Sequence, residues 1–200
     1  MLATPEAILD YWFGAPGSAI EISSRQSALW FGKLPEKDRE INERFTDTYN
    51  AAISGALDNW TVSPRGRLAL VIVLDQFPHH IHRDTAFAFA HDATSLALSM
   101  AALTHGEDKL LTRIERVFLY LPLEHAESIA MQEISVAQYQ QLVAEADESE
   151  RDLFNNYLDY AHKHRDVIVR FGRFPHRNAL LGRLSSPEEL TFLKQPGSRF

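Results

Sequence analysis

The helical spacing of apolar residues is the strongest constraint on how this chain can fold. Within 41–56, 89–100, 110–121 and 153–171, apolar side chains recur three or four residues apart, which places them on one face of a helix. Capping residues before prolines mark helix starts, and glycines mark helix ends. Together these signals predict helices over 5–13, 24–31, 35–57, 64–77, 85–104, 108–120, 123–145, 149–171 and 187–194.

One segment, the apolar run 68–74, also resembles a β-strand because it contains several β-branched residues. No second segment offers it a convincing strand partner, and an isolated strand cannot satisfy its backbone hydrogen bonds. The preceding Ser63-Pro64 pair is typical of a helix start, so the run is better interpreted as a buried helix. We therefore expect one all-α domain over residues 1–200, built from antiparallel helical hairpins.

Composition excludes several classes of function. Twenty Lys and Arg residues against 27 Asp and Glu residues give a net charge of −7, which argues against a general binder of nucleic acids or anionic membranes. Without cysteine there is no disulfide framework and no thiolate site. The acidic start of the chain does not resemble a signal peptide, and the run 68–74 is too short to span a bilayer. These features predict a soluble, cytoplasmic protein.

Three segments rich in polar and aromatic residues stand where predicted helices meet: 74–83, 120–127 and 170–178. We refer to them as the three motifs. Short connections make successive helices antiparallel neighbours, so every second connection lies at the same end of the bundle. This alternation predicts that the three motifs lie together at one end, and that Trp30 joins them there.

Several polar residues continue apolar helix faces and are candidates for a site. Asp75 follows the buried face of its helix, where a carboxylate needs a cation or hydrogen-bond donors, which Arg173, Arg177 or another helix start could supply. His125 and His164 also lie on apolar stripes. A structural interpretation remains open for each of them, since Asp75 and Arg173 could clasp two loops and His164 could be a core histidine.

The stretch 163–183 carries six cationic side chains against one aspartate, a local charge of 6 − 1 = +5. Guanidinium groups suit carboxylate or phosphate recognition, so an anionic small molecule is the expected ligand. The predicted general acid–base residue is His176 or His125, oriented by Asp75 or Glu127. The predicted ligand-binding residues are Gln76, His164, Arg173, Arg177, Asn178 and Trp30.

Acidic residues at helix starts offer a second structural interpretation. Glu124 and Glu127 are predicted in the first turn of a helix, where carboxylates are favoured in any case. A purely structural network at the motif end therefore remains an alternative. So does a helical scaffold that binds a peptide or protein partner in a groove.

Histidines could also suggest a metal. His79, His80 and His82 lie close together, but in what is predicted to be a solvated turn. The His91-Asp92 doublet is expected by chance in a chain with this many His and Asp residues. We therefore assign no metal ligand and leave any cofactor unknown, and a metal-dependent hydrolase is kept only as a further alternative.

The three motifs, together with 9–14 and 178–183, resemble an uncharacterised bacterial family catalogued as a domain of unknown function. The most specific segment is Arg-Phe-Gly-Arg-Phe-Pro-His-Arg-Asn at 170–178. The resemblance implies a tetratricopeptide-like α–α superhelix and no particular reaction. The chain departs from the family pattern in two places. His79-His80 replaces the usual Arg-Asn, which removes a cation beside Asp75, and Ala126 replaces the usual Ser beside His125.

Overall fold

The computed structural model describes residues 2–198, and these residues form helices with no β-strand among them. The all-α prediction is therefore confirmed. The helices are α1 (Pro5–Phe13), α2 (Ala19–Phe31), α3 (Pro35–Ile53), α4 (Pro64–Val71), α5 (Phe77–Ile81), α6 (Asp92–Thr104), α7 (Arg113–His125), α8 (Ile129–Glu145), α9 (Arg151–Phe171) and α10 (Pro187–Phe192). Shorter 3-10 turns occupy Asp58–Val62, Ala86–Phe89, Glu107–Leu110 and Pro175–Arg177.

The predicted capping residues start their helices as expected. The side-chain oxygens of Thr4, Ser63 and Ser186 accept backbone N–H groups from the first turns of α1, α4 and α10. Ser186 also forms a reciprocal capping box with Glu189. Gly172 ends α9 with a φ of 68°, a left-handed conformation that glycine adopts at little cost.

Several predicted bounds are wrong by up to seven residues. Helix α2 begins at Ala19 instead of 24, because Ser18 caps it. The predicted helix 85–104 is divided, since a 3-10 turn over Ala86–Phe89 precedes α6. The segment Ala86–Thr104 is long and apolar enough to cross a membrane by length and composition. Within it, however, α6 has 13 residues, or about 20 Å, which is shorter than a bilayer core.

Helix α7 continues through Pro122 to His125, although the proline suggested an end at residue 120. Proline removes one backbone donor, so the carbonyl oxygen of Phe118, four residues earlier, loses its usual helical donor. At the end of the helix, the fully buried Gln132 satisfies backbone carbonyls, because its Nε2 donates to the carbonyl oxygens of Glu124 at 2.7 Å and Ala126 at 2.9 Å. The extension brings His125 into the last turn of α7.

The apolar run 68–74 is helical, as predicted, and entirely buried. Helix α4 passes into a π-helical turn over Ile72–Gln76, in which the N–H of Phe77 donates to the carbonyl of Ile72. Pro78 explains the wider turn, because its ring would clash with the carbonyl of Leu74 in a regular α-helix. Single π-helical turns occur frequently at functional sites, and this one contains Asp75.

The main core draws side chains from α1 to α9, with aromatic rings at its centre. Trp30 belongs to this core. Its ring centroid lies 4.6 Å from that of Phe118, and its Nε1 donates to the carbonyl of Trp12 at 2.8 Å. The expectation that Trp30 lies beside a ligand is not met, because its polar atom and its ring are both used in the core.

The face of α6 that is buried is not the apolar stripe predicted over 89–100. The fully or almost fully buried residues are Ser95, Ser99 and Ala102, whose small side chains let α6 pack closely against its neighbours. A second, small apolar cluster joins the end of α9 to α10 through Phe171 and Phe192.

Candidate functional site

The three motifs meet at one end of the helices, as helix alternation predicts. Asp75 of the first motif contacts His125 of the second at 3.0 Å. A carboxylate oxygen of Glu127 in the second motif accepts the backbone N–H of Phe174 in the third at 2.8 Å. Motif residues far apart in sequence are therefore in direct contact.

Asp75 is the buried centre of this arrangement. Its side chain is fully buried, and Oδ1 lies 3.0 Å from Nδ1 of His125. Nε2 of Gln76 donates to the other carboxylate oxygen at 2.5 Å, and the Ser95 hydroxyl lies 3.5 Å from Oδ1. The donors to Asp75 are therefore a histidine, an amide and a hydroxyl, and the expected arginine contacts are replaced by His125.

Asp75 and His125 shift each other's pKa toward a charged pair. Burial raises the pKa of Asp75, but the neighbouring His125 outweighs it and the resulting pKa lies below the ordinary value. Burial lowers the pKa of His125, and Asp75 outweighs it in turn, so that this pKa is raised. A carboxylate can only accept a hydrogen bond, so Nδ1 of His125 carries the proton and donates it to Asp75. Nε2 is then the nitrogen available for chemistry.

Two further histidines surround His125 and are held neutral. The ring of His79 lies 5.6 Å from that of His125, and burial followed by the charge of His125 lowers the pKa of His79 to about 3. The ring of His176 lies 5.7 Å from Phe174, and burial followed by Arg177 lowers its pKa to about 3. Both histidines are therefore neutral at pH 7, whereas the pKa of His125 is shifted in the opposite direction. The structure also corrects the expectation that His79 lies in a solvated turn.

Arg177 is a buried cation between two aromatic rings. Its guanidinium lies 4.5 Å from the ring centre of Phe89 and 4.8 Å from that of Phe174, while Nη1 donates to Asp92 at 2.9 Å. Its Nε is sealed from solvent and has no hydrogen-bond partner among residues 2–198, and the same holds for Nε2 of His79. Burial raises the pKa of Asp92 to about 6, although Arg177 opposes the shift.

His164 forms a second pair with a carboxylate. Its Nδ1 lies 2.9 Å from Oε1 of Glu124 and 2.9 Å from the carbonyl oxygen of Tyr160. The ring of His164 lies 6.4 Å from that of His125 and 5.6 Å from that of Phe174. Glu124 lies in the last turn of α7 and not, as predicted, in the first turn of the next helix.

We call this assembly the histidine cluster. Its members share direct contacts or facing rings, and they are Asp75, His79, Phe89, Asp92, Glu124, His125, His164, Phe174, His176 and Arg177. The cluster is largely buried, but the His125 side chain retains 17% of its exposure and Asp92 retains 22%. It therefore combines a buried charged interior with an edge that reaches solvent.

Two predicted site residues hold the third motif in place instead. Glu127 accepts two hydrogen bonds from Arg183, at 2.6 and 2.8 Å, in addition to the backbone N–H of Phe174. Asn178 is fully buried, accepts from Arg183 at 3.0 Å and donates to Ser185 at 3.0 Å. Glu127 therefore orients a loop, and the predicted orientation of a histidine by Glu127 has no counterpart among these contacts.

The five arginines of the basic stretch 163–183 are paired with carboxylates. Arg173, predicted to hold the ligand, donates instead to Glu189 at 2.7 and 2.9 Å and to the carbonyl of Leu184. Other arginines of the stretch pair in the same way: Arg165 with Asp166, Arg170 with Glu188, Arg177 with Asp92 and Arg183 with Glu127. The local charge of +5 is thus largely offset by carboxylates that lie outside 163–183 in the sequence. Of these arginines, only Arg177 lies within the histidine cluster.

Metal-ligating groups and surface depressions bear on what the histidine cluster could bind. Among residues 2–198, no group of three or more His, Asp or Glu side chains is placed to hold a metal ion. His80 pairs with Asp38 at 2.8 Å. Two surface depressions, of about 230 and 480 Å³, are lined by side chains outside the histidine cluster. The lining residues of the smaller one lie within 163–197, and those of the larger one lie within 17–150. The predicted site is therefore a compact cluster and not one of these depressions.

Sequence reasoning missed Phe89, Asp92 and Ser95 as members or supports of the site. Asp92 was assigned to a chance doublet, and its position in the first turn of α6 was its only useful signal. Ser95 was missed because the predicted face of its helix was a different one. Phe89 lies in a 3-10 turn and Asp92 and Ser95 lie at the start of α6, a part of the chain that no motif spacing indicated.

Comparison with known proteins gives a consistent match over almost the entire chain. A family model described as "Bacterial protein of unknown function (DUF924)" matches residues 8–197. A solved structure of a protein of unknown function from Agrobacterium tumefaciens has 35% sequence identity and a TM-score of 0.80, covering 95% of this chain and 96% of that one. No curated protein matches the chain.

Proposed function

The chain belongs to the bacterial family of unknown function DUF924, and from its histidine cluster we propose that it is an acid–base enzyme acting on a small molecule with an anionic group. His125 is the proposed general acid–base residue and Asp75 its orienting carboxylate. The observation that carries the proposal is the fully buried Asp75 carboxylate held against a histidine that still reaches solvent.

A buried carboxylate against a partly exposed imidazole favours a chemical role over a purely structural one. Burying a charge is costly unless it is paired, and a structural role could be filled by apolar side chains at lower cost. The pair fixes the tautomer of His125 with the proton on Nδ1 and leaves Nε2 for proton transfer, which is what a general acid–base residue needs. The π-helical turn that carries Asp75 supports the same interpretation.

Arg177 supports the anionic character of the ligand. A buried donor without a hydrogen-bond partner costs about 1–3 kcal/mol, so a ligand oxygen that accepts from Nε would recover that free energy. Phe89 and Phe174 enclose the guanidinium and keep it out of water. Its attraction to an anion is stronger in this environment than in water. A carboxylate or phosphate group is the proposed occupant.

The finer description of the fold is also part of this proposal. The consecutive packing of α6 on α7, α7 on α8 and α8 on α9 supports a tetratricopeptide-like arrangement of hairpins. A peptide-binding scaffold on such a fold would not need a convergent set of titratable side chains. The histidine cluster therefore favours the enzyme over the scaffold.

Binding of simple anions tests the proposal. In the full chain labelled with nitrogen-15 at histidine, sulfate, inorganic phosphate and succinate are titrated while the His79 and His125 resonances are followed. We expect saturable shifts at both, and Arg177→Lys should weaken binding about tenfold or more through loss of a charge-assisted hydrogen bond. Arg173→Lys is the matched control, because that arginine is engaged by Glu189.

Two results would count against the proposed function. One is the absence of any shift at His79 and His125 with all three anions. The other is an equal loss of binding in Arg173→Lys and Arg177→Lys, which would place the anion on the surface rather than in the histidine cluster.

A further inference from the structure

Residues 84–90 lie in the connection between α5 and α6 and cover one side of the histidine cluster. We call them the lid segment. Its Phe89 ring lies 5.5 Å from the ring of His79 and 4.5 Å from the guanidinium of Arg177. We propose that the lid segment opens to admit the anion to Arg177, and that Phe89 is the residue that controls this access. This inference rests on the proposed function and identifies how its site is reached.

Phe89 is the outer of the two aromatic rings that enclose Arg177. The inner ring, Phe174, is fully buried, whereas Phe89 retains part of its exposure. Arg177 lies between them with 6% of its surface exposed, and its Nε is sealed from solvent. A ligand oxygen can therefore reach Nε only after a covering group has moved. The ring that already borders solvent is the one that can move without opening the core.

The hydrogen bonds of the lid segment are local. The backbone N–H of Thr85 donates to the carbonyl of His82 at 3.1 Å, and that of Ala88 donates to the carbonyl of Thr85 at 3.2 Å. The Thr85 hydroxyl also donates to the carbonyl of His82. Among residues 2–198, every hydrogen bond of the lid segment is made within it or to His82. The segment can therefore move without breaking a hydrogen bond to another helix.

Few apolar contacts hold the lid segment closed. Ala88 is 4% exposed, but among the described residues neither apolar core cluster includes Ala88 or Phe89. Phe87 is directed toward solvent and is 66% exposed. The Phe89 ring is thus the main side chain that attaches the segment to the cluster. A segment with local hydrogen bonds and few buried apolar contacts opens at a lower free energy than the core.

Both ends of the lid segment are anchored next to a distinctive backbone conformation. Before it, Arg83 donates two hydrogen bonds of 2.6 Å to Asp38, and after it Asp92 pairs with Arg177 at 2.9 Å. Asp84 has a φ of 58°, and in the described part of the chain it is the only residue other than glycine with a positive φ. This left-handed conformation is uncommon for a residue with a side chain. A torsion change at Asp84 would move the segment while its anchored ends stay in place.

Thiol labelling measures whether the lid segment opens. The chain has no cysteine, so one introduced thiol reports on its own position. Ala88→Cys places the thiol at the buried position of the lid segment, and Ala102→Cys, the control, places it in the main core, where Ala102 is 1% exposed. Ellman's reagent is added to each folded full-length protein. We expect the thiol of Ala88→Cys to react at least about tenfold faster, because the lid opens more readily than the core.

Sulfate exchange measures whether Phe89 controls access. Histidine NMR line shapes at His125, recorded over a sulfate titration, give the association and dissociation rates. In Phe89→Ala we expect both rates to rise about tenfold or more, because the ring neither blocks the entering anion nor covers the bound one. Loss of a simple contact would raise the dissociation rate alone. Phe87→Ala is the matched control, since Phe87 belongs to the same segment but contacts His82.

The two measurements decide the inference separately from the proposed function. Equal labelling of the two thiols would overturn it, as would an association rate that Phe89→Ala leaves unchanged or that Phe87→Ala raises equally. The sulfate rates need no cysteine, so they test the inference even if Ala88→Cys does not fold. In each of these cases the proposed function stands as long as sulfate binds at Arg177. A wild-type chain that binds no sulfate would remove the proposed function and this inference with it.

Discussion

Nδ1 of His125 lies 3.0 Å from Oδ1 of Asp75, although fifty residues separate the two in the chain. The contact joins the end of α7 to a π-helical turn, and each of these segments is shaped by a proline. A π-helical turn and the last turn of α7 therefore place one carboxylate and one imidazole together. A regular α-helix over Ile72–Gln76 would rotate Asp75 relative to the side chains before it, because a π-helical turn holds more residues than an α-helical one.

Replacing Asp75 by asparagine should lower the pKa of His125. The carboxylate is what raises that pKa against the effect of burial, so Asp75→Asn leaves burial to dominate and the pKa falls below its ordinary value. Histidine NMR titration measures the shift. Asp38→Asn, which removes the partner of His80, is the control and should leave His125 unchanged. An unaltered His125 titration in Asp75→Asn would contradict the pairing.

Neutral buried histidines should make the protein sensitive to acid. The pKa values of His79 and His176 are lowered to about 3 in the folded state, while an unfolded histidine titrates near 6.5. The unfolded chain binds more protons between these values, so stability falls as pH drops from about 6.5 toward 3. Each histidine contributes a slope of up to about 1.4 kcal/mol per pH unit.

Urea unfolding at pH 7 and pH 5 measures this slope. His79→Gln should reduce it by about the contribution of one histidine. His105→Gln is the control, since that side chain is largely exposed and lies outside the histidine cluster. An identical pH dependence in wild type and His79→Gln would show that His79 is not held neutral by folding.

Loss of the Glu127 carboxylate should release the third motif. Glu127→Gln removes charged hydrogen bonds to Arg183 and weakens the contact with the N–H of Phe174, at an expected cost of about 1–3 kcal/mol in the free energy of unfolding. Glu188→Gln removes an exposed ion pair with Arg170 and should cost less than about 1 kcal/mol. Chemical denaturation compares the two. Equal effects would mean that Glu127 has no special role in holding this loop.

Anion affinity should increase as pH falls through about 6. The pKa of Asp92 lies near 6, and its protonation removes the negative charge that competes with an anion for Arg177. Sulfate is a suitable probe because it does not titrate in this range. His125 contributes in the same direction, so Asp92→Asn isolates the effect of the carboxyl. In that variant, calorimetry should find tighter sulfate binding at pH 7 and a weaker pH dependence.

Gln132 should be essential for the end of α7. Its amide satisfies carbonyl oxygens that the end of the helix leaves free, so Gln132→Leu should cost about 1–3 kcal/mol in the free energy of unfolding and should perturb the His125 resonance. Gln141→Leu on the exposed face of α8 is the matched control. A stable Gln132→Leu variant with an unchanged His125 signal would contradict this role.

Helix parity predicted that the three motifs meet at one end of the bundle, and the reason that this prediction is correct is simple. Short turns leave antiparallel packing as the way for consecutive helices to bury their apolar faces, so alternate connections share an end. Asp75, His125, His164 and Arg177 were placed together on that basis. Errors of several residues in the helix bounds did not affect this prediction, because parity depends on the number of helices and not on where each one ends.

Helix parity could not predict which side chains pair with each other within the site. Arg173 and Arg177 look equivalent in the sequence, but Arg173 meets Glu189 from α10 and Arg177 meets Asp92 from α6. Gln76 was predicted to bind a ligand and instead donates to Asp75. Each of these outcomes depends on side chains that arrive from a different helix.

The amino-acid sequence by itself determined the all-α class, the capped helix starts and the common end of the three motifs, because periodicity, capping and helix parity act over short stretches of chain. The tertiary structure decided which carboxylate pairs with which histidine, which carboxylates neutralise the arginines of 163–183, and that Trp30 lies in the core. The physical reason is that ionic and hydrogen-bonding partners are selected by burial. A charge that loses water must take the nearest complementary group, and which group is nearest is settled only when the helices have packed.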